Sequence, residues 1–138
     1  MKFYGDVLKL ELAHHIEERG VAFYWLAGRG KSMLGLWEAS GPQRMTLHTA
    51  FAVSLDDILV SAKKLRDAGV TPLDFDGSET DEPDVLAWMP AASLYFRDPD
   101  GNMLEFLAML DDAPAPELGI LKWSKWQRKS KDDGRRTP

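Results

Sequence analysis

The chain has 138 residues, no cysteine and a formal net charge of -5, with 44% hydrophobic and 28% charged side chains. A length of this order suits one domain with its own core, and the composition is that of a globular chain, not a disordered or fibrous one. Without cysteine, disulfides, thiolate metal sites and cysteine nucleophiles are excluded, so any metal must be held by His, Asp, Glu or water.

No apolar run approaches the ~20 residues that a membrane-spanning helix needs, and the opening MKFYGDVLKL has no signal-peptide core, so the expected location is cytoplasmic. The charge is uneven: residues 1–121 carry 10 basic and 20 acidic side chains, whereas residues 122–138 carry 7 and 2. A short cationic end of this kind is expected to be a solvated terminus, with no nucleic-acid or membrane partner.

In chain order, KFYGDVLKLEL (residues 2–12) reads as a short helix running into a strand, because Phe3, Val7, Leu8 and Leu10 are spaced for one. ELAHHIEERG and VAFYWLAGRG read as two strands joined around Gly20, and KSMLGLWEAS as a third after the Gly28-Arg29-Gly30 turn. A second cycle begins with the strand TLHTAFAV. In SLDDILVSAKKLRDAGV, Leu55, Ile58, Leu59, Ala62 and Leu65 recur at helical spacing, Ser54 with Asp57 resembles a capping box, and Gly69 ends the helix. VTPLDF is expected to be a strand, DGSETDEPDV an acidic loop, and SLYFRDP with NMLEFLAML a closing hairpin around a type I Asp-Pro-Asp-Gly turn. Beyond the linker DDAPAPELG, Leu121, Trp123 and Trp126 are too apolar for a solvated tail and are expected to pack on the domain or on a partner chain.

The pattern is α+β: strands and a helix in a βαβββ order over residues 46–110, and a similar set over residues 2–38 without its leading strand. The expected division is a domain over 1–112, with modules at about 2–40 and 45–110, and an extension over 113–138.

Glu105 stands between Leu104 and Phe106 in the last strand, where a carboxylate is costly unless a cation or hydrogen-bond donor meets it. Alternation puts Glu105 on one face with Met103, Leu107 and Met109, and His48 on one face with Thr46, Ala50 and Ala52. If the two strands share a curved sheet, His48 and Glu105 converge as a suitable ligand pair for a divalent metal. The alternative is a hydrogen-bonded histidine and a Glu105 paired with Arg97 or Arg44. Tyr95 and Arg97 share a face of the preceding strand, and Arg97 either meets an anionic substrate or pairs with Asp98 or Asp100. Phe23, Trp25, Trp37 and Trp88 either line an apolar pocket or belong to the core. No phosphate-cradling GxxxxGK[ST], GxGxxG or GxSxG is present, so nucleotide-dependent transfer and serine hydrolysis have no support.

SLYFRDPDGNMLEFLAML together with LHTAFAVSLDDILVSAKKLRDAGV resembles the C-terminal module of the vicinal oxygen chelate superfamily, which includes glyoxalase I, fosfomycin-resistance thiol transferases, extradiol dioxygenases and bleomycin-binding proteins. The likeness spans residues 3–110, with KFYGDVLKLEL similar to the family's FY-x-x-xLGL stretch and SMLGLWEA similar to the last strand of the first module. It implies paired βαβββ modules forming a cupped mixed sheet, a homodimer, and a divalent ion (Zn, Ni, Mn or Fe) held by His48 and Glu105. Tyr95, Arg97 and Trp37 would then face a small oxygen-chelating substrate. The family's leading HI-x-L-x-V strand and its metal ligand precede the point where this sequence starts. Gly35 falls where glyoxalase I has a glutamate, so the implied ligand set is short; His14 and His15 point to opposite faces and could replace at most one ligand. A metal-free protein that sequesters a cationic compound, as the bleomycin-binding members do, is the competing expectation.

Overall fold

A computed structural model describes residues 2–41 and 45–133, with side chains as far as residue 129. Arg44, one expected partner of Glu105, and the basic end from residue 134 lie outside the described residues. The chain forms two compact units, Met1–Thr46 and Leu47–Pro138.

The first unit opens on a π-helical turn, Phe3–Val7, which places Tyr4 inside, with its ring centre 6.0 Å from that of Tyr24. Three antiparallel strands follow in sheet order: β1 (Glu11–Ile16), β2 (Val21–Leu26) and β3 (Ser32–Trp37). The β1–β2 connection turns at Gly20, whose φ of +58° is left-handed and whose Cα lies so close to Glu38 that an added Cβ would meet the Glu38 Cβ at 2.9 Å. Only glycine fits both demands without strain. Val21, Ala22 and Tyr24 of β2 are buried, as expected for the central strand.

The second unit is built on β4 (His48–Ala52), helix α1 (Leu55–Asp67), β5 (Asp84–Leu86), β6 (Ala91–Arg97) and β7 (Met103–Met109), a βαβββ order. The sheet runs β4-β7-β6-β5 and is mixed, because β4 lies parallel to β7 while the other pairs are antiparallel. Ser54 caps α1 by accepting the Asp57 amide at 3.1 Å, and Gly69, at φ +76°, ends it. Ile58, Ser61, Ala62 and Leu65 form its buried stripe, and the helix packs against β6 and β7. Alternation along those strands sends Leu94, Phe96, Leu104 and Ala108 into the core; the Phe96 and Phe106 ring centres are 4.7 Å apart.

Two elements depart from the sequence reading. VTPLDF is not a strand: only Leu73 pairs, in isolated bridges to Glu79 and Tyr95, and the strand beside β6 is Asp84–Leu86, at the end of the supposed acidic loop. The reason is local. The Asp74 carboxylate accepts the Asp76 and Ser78 amides at 3.1 and 2.8 Å, which folds the chain back before a ladder can form. The second departure is at the far end. Residues 120–122 add a strand, β8 (Ile120–Lys122), antiparallel to β5, and helix α2 (Trp123–Asp133) follows. Trp126 is buried with Val85 and Ala87, so the tryptophan-bearing segment packs on its own chain.

Candidate functional site

One face of the second-unit sheet is apolar and covered; the other carries a set of polar side chains among its apolar ones. Register places Ala50 across from Glu105, Glu105 across from Tyr95, Ser93 across from Asp84, and Asp84 across from Lys122. Paired residues share a face, and His48 joins them because it lies two positions before Ala50. The same alternation that buries Leu104 and Ala108 therefore turns Glu105, His48, Ser93, Tyr95, Asp84 and Lys122 to the opposite side.

The Glu105 side chain is only 7% exposed, whereas that of His48 is 54% exposed. His48 Nε2 donates to Glu105 Oε2 at 2.9 Å, and Ser93 Oγ donates to Oε1 at 2.6 Å. The Tyr95 hydroxyl also hydrogen-bonds to Glu105, and its ring centre is 6.1 Å from that of His48. The buried carboxylate is thus met by donors on both oxygens, which answers its desolvation. Burial, reinforced by the Glu105 charge, pushes the Tyr95 phenol up to about 12, so it keeps its proton at neutral pH.

His48 and Glu105 are chemically apt for a divalent ion, and their 2.9 Å separation is close to the roughly 3 Å between two donors that bind one ion at a right angle. Among the described residues, no group of three or more His, Cys, Asp or Glu side chains is placed to hold a metal. The pair fits as two ligands of a set that it does not complete alone.

The remaining expected residues fall as follows. Arg97 donates from Nη1 to the Gly101 carbonyl at 3.1 Å, bracing the 98–101 turn, while the Asp98 carboxylate accepts the Asp100 and Asn102 amides. Trp37 lies in the first unit, 65% exposed, edge-on to Phe23 at 5.4 Å. Its ring occupies the space above Gly35, where an added Cβ would come within 2.5 Å of it. His14 and His15 are exposed on β1.

Ser93, Asp84, Lys122 and Phe75 were not singled out by sequence reasoning. Ser93 was reachable, since it is two positions from Tyr95 on an alternating strand. Lys122 Nζ lies 2.9 Å from Asp84 Oδ1 and 3.0 Å from Asp74 Oδ2, contacts spanning dozens of residues that leave no local pattern. Phe75, in the turn fixed by Asp74, stands edge-on to Tyr95 at 6.1 Å and to Trp88 at 6.5 Å.

Residues 1–106 match the family model of the Glyoxalase/Bleomycin resistance protein/Dioxygenase superfamily. No curated protein matches the chain. Among solved structures, an integron cassette protein, HFX_CASS4, from the mobile metagenome of the Halifax Harbour sewage outfall is 32% identical at a TM-score of 0.67, covering 78% of this chain and 84% of that one. Oxidase ChaP-H2 is 24% identical with a TM-score of 0.62, covering 83% and 85%. A lactoylglutathione lyase from Agrobacterium tumefaciens is 20% identical with a TM-score of 0.57, covering 78% and 81%. The last two likenesses are likenesses of fold.

Proposed function

Because the chain belongs to the Glyoxalase/Bleomycin resistance protein/Dioxygenase superfamily, we propose that it is a divalent-metal-dependent enzyme acting on a small substrate that offers two neighbouring oxygens. The observation that carries this reading is the His48–Glu105 pair, a half-exposed imidazole 2.9 Å from a buried carboxylate at the β4 end of the sheet. His48 and Glu105 would hold the ion, which supplies Lewis-acid polarisation of the substrate oxygens. Ser93 fixes the rotamer of Glu105 through its 2.6 Å hydrogen bond. Tyr95, protonated and hydrogen-bonded to Glu105, helps hold that carboxylate in place. Arg97 and Trp37 are the further candidates for substrate contact, and a homodimer is the proposed assembly.

The test is metal content of the full chain purified without chelator, followed by titration with Zn, Ni and Mn. Stoichiometric binding in the native protein, weakened at least about tenfold by His48→Ala and by Glu105→Gln, supports the reading. Equal metal content in all three proteins sinks it.

The second reading is a metal-free small-molecule binder. It is favoured by the donors that already satisfy Glu105 and by a two-residue ligand set. A native protein that takes up no metal yet binds organic cations by fluorescence titration would select this reading.

A further inference from the structure

Lys122 belongs to β8, outside the residues that match the family model, yet it reaches the same polar face as His48 and Glu105. Its ammonium bridges the Asp84 and Asp74 carboxylates at 2.9 and 3.0 Å. Each carboxylate uses its other oxygen to fix the turn around Phe75: Asp84 Oδ2 accepts the Phe75 amide at 2.8 Å, and Asp74 Oδ1 accepts those of Asp76 and Ser78. Both acids are largely buried, and two ionised carboxylates brought together there repel unless a cation stands between them. The turn that carries Phe75 therefore depends on Lys122.

Phe75 is held beside the candidate site. Its ring stands edge-on to Tyr95, whose ring in turn lies 6.1 Å from His48, and Trp88 stands edge-on to Phe75 on the far side. These rings form a continuous arc leading away from the His48–Glu105 pair. Tyr95 is buried, but Phe75 and Trp88 remain 48% and 44% exposed. Large aromatic surface left in water beside a polar pair is surface that a ligand can cover with gain.

We infer that Lys122 is a positioning residue which holds Phe75 as the wall of a subsite for a flat, apolar group carried next to the oxygens bound at His48 and Glu105. The inference rests on the proposed role of that pair and adds to it the class of substrate, one bearing a planar ring. Lys122 acts through the two aspartates and touches no substrate itself.

The test compares two neutral diols that differ only in the group beside the vicinal oxygens, 1-phenyl-1,2-ethanediol and 1,2-propanediol, binding to the full chain with MnCl2. The native protein is expected to bind the phenyl compound about tenfold more tightly, as stacking on an aromatic wall provides. Phe75→Ala and Lys122→Met should bring that ratio close to one while leaving Mn content and propanediol affinity unchanged. Lys122→Arg, which keeps a cation at both aspartates, should preserve it. Equal affinities in the native protein, or an unchanged ratio in Phe75→Ala, overturn the subsite, and an unchanged ratio in Lys122→Met overturns the role of Lys122. If no Mn binds, the metal reading fails separately, and benzyl alcohol binding without metal decides: weakening by Phe75→Ala and Lys122→Met upholds the inference, and indifference overturns it. A shift from dimer to monomer in Phe75→Ala would assign this wall to a contact between copies and also overturn it. Melting temperatures of the three variants identify any that fail to fold, and Lys122→Arg with Phe75→Ala then suffice.

Discussion

Glu105 is a carboxylate placed in the middle of an apolar strand, and its neighbours decide whether that is tolerable. Two donors with good geometry, His48 Nε2 and Ser93 Oγ, meet its two oxygens. Ser93→Ala would leave one oxygen of a buried charge short of a donor, at a cost of about 1–3 kcal/mol. Urea denaturation should show this as a lower midpoint, and the same change in a Glu105→Gln background should cost markedly less, because the charge is gone. At this scale much of the site was legible. Strand alternation alone put Glu105 and His48 on particular faces, and the cost of a buried charge signalled that Glu105 had partners. Ser93 was not recognised, because a serine between apolar residues carries no chemical signature until its partner is known. The expectation that Arg97 meets a carboxylate passed over the Gly101 carbonyl, to which it donates; backbone acceptors are invisible in a sequence pattern.

Elements were legible where the pattern was local. Helix α1 was read from its cap, stripe and terminal glycine, all within one segment. VTPLDF was misread as a strand because its apolar content outweighed Asp74, whose side chain captures nearby amides and turns the chain. Gly20 shows how strictly a connection can be specified: Gly20→Ala adds a Cβ to a left-handed residue already crowded by Glu38. A destabilisation of about 1–2 kcal/mol is expected, read from chemical denaturation. The bridge from β8 to β5 and the 74–78 turn should give stability a recognisable pH dependence. For Lys122, burial works downward, but its bonds to Asp84 and Asp74 prevail and hold the ammonium above its usual 10.5. For Asp74, burial works upward, but Lys122 and the Ser78 amide prevail and hold the acid below its usual 3.8. A raised base contributes stability that is full below pH 10.5 and lost as pH rises through the folded value; a lowered acid contributes stability that is full above pH 3.8 and lost as pH falls through its own. Melting temperature should therefore fall at both extremes, and Lys122→Met should flatten the alkaline flank.

At the scale of the whole chain, the α+β class followed from the order of periodic segments, and so did the second unit except for the strand expected at VTPLDF, but the contribution of the last residues did not. Trp123 and Trp126 signalled that the tail packs somewhere; that it would supply a strand and a helix to the second unit depends on contacts between segments far apart in sequence. Trp126 closes a cluster with Val85 and Ala87. Trp126→Ala should cost about 3–5 kcal/mol and raise binding of an apolar fluorescent dye, measured against the native protein at the same temperature. A tail that was merely solvated would change neither.

The five-stranded order β4-β7-β6-β5-β8 has two ends, and they are unlike. At one, β8 has only three residues and leads at once into a helix, so it offers a short edge for further hydrogen bonding. The other end is β4, whose first residue is His48. A strand recruited at this end, from a neighbouring molecule or a bound peptide, would dock alongside the imidazole, so that assembly and ligand access would compete for the same border.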